Sequence, residues 1–366
     1  MNILLNKIIT NNNGKEFLRF GNADGKRWVV PVKNMQVALN LYQPSGVKGK
    51  LVKALLPLFY KLSPVRKAVK GESLNCTLNE ELQGVLQKVF ATDELEFSIF
   101  EGTPCVHQKI TIQLSRGKEI LGYCKAGDNK EIQSLFEKEY TLLRTLAQKG
   151  VGGIPQALFC GTLGNGVHIF VQSTKKTHKS KVPHVWGAQQ EQFLATLHER
   201  TKQTIPFVES DYCHTLQALQ VHLDWLPASI DRVVITTAIA RVLAKYRGKE
   251  VKFSAYHGDF TPWNMFVEGK ELFVFDFEYA ALTYPAGLDR YHFELQTANF
   301  EKKMTAEEQI GYLQSCKWVD KEKLVMYLLD IISRFTMREK GDIKGYVAHS
   351  FAIWYKLLSE FAVKEL

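Results

Sequence analysis

Residues 253–280 read FSAYHGDFTPWNMFVEGKELFVFDFEYA, and the order of polar and apolar residues in this stretch decides how the whole chain is read. An apolar run leads into the polar loop HGDFTPWN, followed by MFVEG, a turn, and ELFVFDFE. Short apolar runs punctuated by glycine predict a strand, a loop and a hairpin. Three polar groups sit at set offsets: Asp259, Asn264 five residues later, and Asp276 twelve beyond that. A loop supplying Asp and Asn, with a hairpin returning a second Asp, can bring three oxygen ligands to one place. Asn264 and Asp276 offer hard oxygens of the kind Mg²⁺ takes alongside substrate phosphates. Asp259 is then free to accept a proton from an attacking hydroxyl. A lone Asp beside a glycine is usually a turn residue, and a lone Asn in such a loop is similar. Asp276 differs, because a charge between Phe275 and Phe277 needs a partner to offset its desolvation.

Residues 94–172, upstream, are rich in predicted strands. LEFSIF, QKITIQL, EILGYCKA, QALFCGTL and VHIFVQS are apolar or alternating runs between glycine-containing turns. One helix interrupts them, EIQSLFEKEYTLLRTLAQKG. Its residues Ile132, Leu135, Phe136, Tyr140, Leu143 and Leu146 recur at the 3.6 period, and Gly150 is placed to cap it. From Ser173 onward the chain is mostly helical. WGAQQEQFLATLHERTKQ, IDRVVITTAIARVLAKYRG, AEEQIGYLQSC, KEKLVMYLLDIISRF and GYVAHSFAIWYKLLSEF all carry helical periodicity.

HGDFTPWN followed by VFDFE resembles the H-G-D-x-x-P-x-N and D-[FW]-E signatures of the aminoglycoside phosphotransferase and choline kinase family. The resemblance covers roughly residues 94–280, and the helices beyond more loosely. It implies an α+β, bilobal protein-kinase-like fold, with a β-rich N-lobe, a mostly helical C-lobe and an extra N-terminal α/β accessory segment. The expected boundaries are 1–92 for a basic accessory domain, 93–174 for the nucleotide lobe, and 175–366 for the lobe carrying the catalytic loop and acceptor.

Position by position, the resemblance implies that Asp259 is the catalytic base and that Asn264 and Asp276 are Mg²⁺ ligands. His257 matches the motif's largely structural histidine, and Asp289 the later Asp that braces the catalytic loop. Lys125, at the end of the third strand of the nucleotide lobe, would hold the ATP phosphates, with Glu139 as its ion-pair partner. Gly102 opens the segment expected to cover the phosphates, where backbone N–H groups from Gly102 to His107 are available. Gln172 and Thr174 bracket the connection whose backbone would read the adenine edge. No G-x-x-x-x-G-K-[ST] occurs, which disfavours a Walker P-loop enzyme. No arginine precedes Asp259, and no long activation loop fits between Glu278 and Asp289. The implied activity is ATP- and Mg²⁺-dependent transfer of the γ-phosphate to a hydroxyl of a small molecule or glycan, such as a sugar, an aminoglycoside-like compound or an amino alcohol. The alternative is a nucleotide-binding pseudokinase or a membrane-recruited scaffold.

The 366 residues carry a net charge of +9, unevenly placed. Residues 25–71 contain ten Lys and Arg and no Asp or Glu, while the rest of the chain has 37 basic against 38 acidic residues. A coat of positive charge suited to nucleic acid is therefore excluded. The basic segment is open to three readings: a folded accessory element with its lysines in solvent, contact with an anionic membrane, or gathering of an anionic substrate. Helical spacing sets Leu51, Leu55, Leu58, Phe59 and Leu62 on one face, and Pro57 is expected to interrupt the helix. The favoured expectation packs that face against the nucleotide lobe. No run of about 18 apolar residues exists, and the start MNILLNKIITNNNGKEF does not read as a signal peptide. Six scattered cysteines without a CxxC pair argue for a reducing compartment. A cytoplasmic location, with peripheral membrane contact as an option, is the expectation; the oligomeric state is left open.

Overall fold

The computed structural model describes residues 3–44, 46–60, 62, 71–102 and 108–363. They form two compact units, Met1–Ala147 with Ile154–Lys181, and Gln148–Gly153 with Val182–Leu366. Among the described residues, no helix is long and apolar enough to cross a membrane.

The first unit is built on an eight-stranded antiparallel sheet. Its strands are β1 (Ile9–Gly21), β2 (Arg27–Pro31), β3 (Gly71–Leu78), β4 (Glu96–Phe100), β5 (Ile110–Arg116), β6 (Glu119–Gly127), β7 (Ala157–Thr162) and β8 (His168–Ser173). Their spatial order is β3-β1-β2-β4-β5-β6-β8-β7. The five strands expected from residues 94–172 all form, with the expected helix after β6. Segment 1–92, expected as a domain of its own, adds three strands to this same sheet. Trp28 and Val29 of β2 lie opposite Phe100 and Ile99 of β4. The join follows from the side-chain period of two. Phe17 and Val29 face a core shared with Ile99, Ile112 and Val171. Their neighbours Leu18, Trp28 and Val30 face a second core on the opposite side of the sheet.

Short helices cover both faces. On the first lie α1 (Ile3–Ile8) and α4 (Glu80–Phe90), whose Leu82 and Leu86 are buried. The Asn79 side chain caps α4 by accepting from the Glu81 and Leu82 backbone N–H groups. On the second lie α2 (Met35–Ala38) and α3 (Val47–Phe59). Pro57 does not interrupt α3, which runs two residues past it. It sits in the last turn, where its missing N–H costs one bond, and the bond three residues on, Tyr60 N–H to Leu56 O, still forms at 3.0 Å. The side of α3 that packs inward is Leu56 with Tyr60 and half-buried Val52, so Leu51, Leu55, Leu58, Phe59 and Leu62 are exposed rather than packed against the unit. The long helix α5 (Lys130–Gln148) buries Ile132, Phe136, Leu142, Leu143 and Leu146.

The second unit is mainly helical. Its elements are α6 (Ala188–Thr201), α7 (Asp211–Val221), α8 (Arg232–Tyr246), α9 (Leu288–Phe300), α10 (Ala306–Ser315), α11 (Lys321–Glu339) and α12 (Gly345–Val363). All five helices expected from periodicity form. A small sheet orders β13 (Ala281–Tyr284), β10 (Glu250–Tyr256) and β9 (Gln203–Pro206), and β11 (Met265–Glu268) pairs with β12 (Glu271–Val274) as a hairpin. The decisive stretch thus folds as β10, polar loop, β11, turn and β12. One core runs through α7, α8, α9, α11 and α12. Helix α9 is buried from Leu288 to Asn299 except at Arg290, and its buried residues include Asp289, His292, Glu294, Gln296 and Asn299. Such a helix has no single apolar stripe.

Candidate active site

The loop between β10 and β11 is held open by backbone geometry. Gly258 has φ +81°, and a Cβ there would lie 2.7 Å from the Tyr279 carbonyl oxygen, so only glycine fits. The Asp289 carboxylate, buried on α9, accepts from the backbone N–H groups of His257 at 3.0 Å and Gly258 at 3.1 Å. Burial pushes the Asp289 carboxyl up to about 7, against the two backbone N–H bonds that favour its charge. Arg334 of α11 donates to the Gly258 carbonyl and, at 3.0 Å, to the Tyr256 hydroxyl, and it pairs with Asp330. The loop is therefore clamped from two helices distant in sequence.

His257 fixes the loop from inside. Its Nδ1 accepts from the Asp259 N–H at 3.1 Å, so its Nε2 carries the proton and donates to the Phe275 carbonyl at 3.1 Å. Burial holds this ring neutral, with its pKa lowered to about 4. The Phe275 N–H in turn donates to the Asn264 carbonyl at 3.0 Å. Both backbone groups of Phe275 are thus tied to the loop, which brings its neighbour Asp276 to the same place. Asp276 was expected on a strand, but β12 ends at Val274 and Asp276 adopts φ +70°. A non-glycine residue there stores about 1–3 kcal/mol of strain, a cost found mainly where function requires it.

Asp259 and Asn264 meet directly. The Asn264 Nδ2 donates to Asp259 Oδ2 at 2.7 Å and to the Asp259 carbonyl at 3.0 Å, leaving the Asn264 Oδ1 as the hard oxygen for a cation. The other carboxylate oxygen, Asp259 Oδ1, accepts from His292 Nε2 at 2.9 Å. Tyr327 of α11 contacts the far nitrogen of that ring at 3.3 Å. Burial pushes the Asp259 carboxyl up, but the hydrogen bond and electrostatic attraction of His292 together hold it below its ordinary value. Burial likewise lowers His292, which keeps that ring a neutral donor. The charge of Asp276 opposes ionisation of Asp259, a sign of its closeness. Asn264 and Asp276 each offer a hard oxygen of the type Mg²⁺ takes.

In the first unit, Lys125 on β6 and Glu139 on α5 form the expected pair. Nζ lies 2.7 and 3.0 Å from the two carboxylate oxygens, with both residues buried. Lys125 also sits 5.9 Å from the Phe170 ring centre. Gln172, next to last in β8, is buried, and its Oε1 has no hydrogen-bond partner among the described residues. Thr174 lies just past β8, where its Oγ1 accepts from the Lys176 N–H at 3.1 Å. Gly102 has φ +79°, and a Cβ there would lie 2.2 Å from the Lys109 carbonyl, which requires glycine. The rest of the segment expected to cover the phosphates, 103–107, lies outside the described residues.

Residues 133–286 match the model of the phosphotransferase enzyme family. The match spans Glu139, Gln172, Thr174 and the whole loop with Asp259, Asn264 and Asp276. A search of curated proteins finds no match. Solved structures that resemble the chain include a putative fructosamine-3-kinase from Haemophilus somnus, at 15% identity and TM-score 0.45, covering 76% of this chain and 97% of that one. Choline kinase LicA from Streptococcus pneumoniae aligns at 12% identity and TM-score 0.49, covering 76% and 99%. A thermostable mutant of aminoglycoside phosphotransferase APH(4)-Ia aligns at 13% and 0.49, covering 77% and 99%.

Several working residues were not in the sequence-derived set. His292 stands three residues after Asp289, a spacing that sets both on one helix face and is the signal that could have marked it. Arg334 holds the loop from α11, some seventy residues on, and no local signal marks it. Arg19 of β1 makes a buried two-pronged ion pair with Glu101, at 2.6 and 2.9 Å, immediately before Gly102. Gln108 donates to the Glu101 carbonyl at 2.6 Å. The N-terminal strands thus anchor the start of the glycine segment.

Proposed function

We propose that the chain transfers the γ-phosphate of ATP to a hydroxyl of a small molecule or glycan, with Asp259 as the base and Asn264 and Asp276 holding Mg²⁺. The observation that carries this reading is the geometry of Asp259, whose two carboxylate oxygens are oriented by Asn264 Nδ2 at 2.7 Å and His292 Nε2 at 2.9 Å. Bound Mg²⁺ would supply neutralisation of phosphate charge. Asp259 orients the acceptor hydroxyl. As the acceptor oxygen bonds to the γ-phosphorus, the bond to the β-bridging oxygen breaks and its electron pair leaves with ADP. Asp259 takes the hydroxyl proton. A carboxylate held below its ordinary pKa is a weak base, so this proton moves late, once the hydroxyl has become acidic through bonding to phosphorus. That order agrees with the loose transition state of phosphoryl transfer, in which positioning outweighs proton abstraction. The Lys125–Glu139 pair is the proposed holder of the ATP phosphates, Gly102 opens the segment proposed to cover them, and Gln172 with Thr174 is the proposed adenine-reading segment. The orphaned Gln172 Oε1 supports an unfilled polar contact there.

The test is a coupled assay for ADP over a panel of sugars, amino alcohols and aminoglycosides. Acceptor-dependent ADP release is expected, and Asp259→Asn should lower kcat by about 10²–10⁴ with an unchanged circular dichroism spectrum. Turnover in the variant equal to wild type would remove Asp259 from the role of base.

A further inference from the structure

The helix α3 is apolar on two opposite sides. At 100° per residue, Val52, Leu56 and Tyr60 share the inward side, where Leu56 and Tyr60 are buried against Leu18, Trp28 and Met35. The opposite side carries Val47, Leu51, Leu55 and Leu58, which are 85%, 57%, 41% and 70% exposed. Isolated exposed leucines are ordinary on protein surfaces, but a continuous stripe along one helix marks a docking face. Lys48 and Lys50 flank the stripe, one at each edge, and both are exposed. No acidic residue lies on α3 or anywhere from residue 25 to 71.

We infer that α3 docks the protein on an anionic lipid bilayer, lying in the plane of the interface. Charge complementarity selects this occupant. An apolar stripe edged by lysines on a segment free of acids matches acyl chains beneath anionic headgroups, with the lysine stems reaching up to the phosphates. A nucleic acid would leave the leucine stripe in water, and a small anionic substrate would leave it uncovered. The helix spans about 20 Å, enough to lie along a surface and too short to cross one. The inward contacts of Leu56 and Tyr60 hold it to the sheet, so docking requires no unfolding.

Co-sedimentation of the full chain with phosphatidylcholine vesicles, with and without phosphatidylglycerol, tests this without reference to enzymatic activity. Binding is expected to the anionic vesicles and to weaken as salt rises. The triple variant L51Q/L55Q/L58Q should bind at least about tenfold more weakly, with an unchanged melting temperature because all three side chains are exposed. Independently, K48Q/K50Q should weaken binding by about fivefold per lysine and flatten the salt dependence. Should the leucine variant fold poorly, the lysine variant still decides. Absence of binding to anionic vesicles at low salt overturns the proposal. So does equal binding by wild type and both variants, or light scattering that shows a dimer abolished by the leucine changes, which would make a second copy the occupant.

Discussion

At the scale of single residues, the loop chemistry rests on His292 and Asp289. The carboxyl of Asp259 is held low by the Nε2–H of His292. His292→Phe removes that donor, so the folded carboxyl returns upward. A base that must be ionised then loses activity at higher pH. The acid limb of the kcat/KM profile is expected to move to higher pH in the variant, while a merely structural role would lower the whole profile without moving its limb. Asp289 shifts the other way. Burial raises its folded value to about 7 from an ordinary 3.8, so its protonated form favours the fold. That stability is present below about pH 4 and is lost as pH rises through 7. Asp289→Asn turns an N–H toward one of the two backbone donors and should cost about 1–3 kcal/mol. The urea-derived stability difference between wild type and variant is expected to shrink as pH rises from 4 to 7.

At the scale of elements, β6 and α5 meet through Lys125 and Glu139. The glutamate is fully buried, so the pair fixes both the lysine and the angle of the helix. Glu139→Gln keeps an acceptor for Nζ but loses the charge-assisted bond, worth about 1.5–3 kcal/mol. A fall of about 10–150-fold in kcat/KM for ATP is expected, measured as a rise in KM for ATP with the acceptor KM unchanged. An equal change in both constants would argue that the pair only supports folding. Element α5 was legible because its apolar residues repeat cleanly over nineteen positions. Helix α9 was not, because a helix buried on nearly all sides mixes polar and apolar residues without a stripe. Helix α4 left a readable sign in Asn79 followed by Glu80 and Glu81, an N-terminal cap with acidic first-turn residues.

At the scale of the whole molecule, the N-terminal 92 residues share hydrogen bonds, core and an ion pair with the rest of their unit. Their Phe17, Val29, Leu82 and Leu86 bury against residues of β4 to β8. Arg19 neutralises buried Glu101. A chain shortened to residues 93–366 would expose the β4 edge and that apolar face, and would leave Glu101 buried without its partner. Such a chain is expected to aggregate, seen as light scattering on refolding at concentrations where the full chain is clear. A stable, monomeric short chain would show that the extension is an independent appendage.

The sequence by itself determined the elements with a clean period and the polar groups of the candidate loop. Strand and helix periods are local, and so is a loop that places Asp259 and Asn264 five residues apart with Asp276 returned by a hairpin. The tertiary structure alone decided which partners hold these groups and which way α3 faces. Burial and partners set the state of a carboxylate, and His292, Asp289 and Arg334 reach the loop from helices that no spacing rule connects to it. On α3 the reading of one apolar face was sound, but the helix has two. A periodic pattern cannot say which of two apolar sides finds a core, because that depends on the surface the sheet presents to Leu56 and Tyr60.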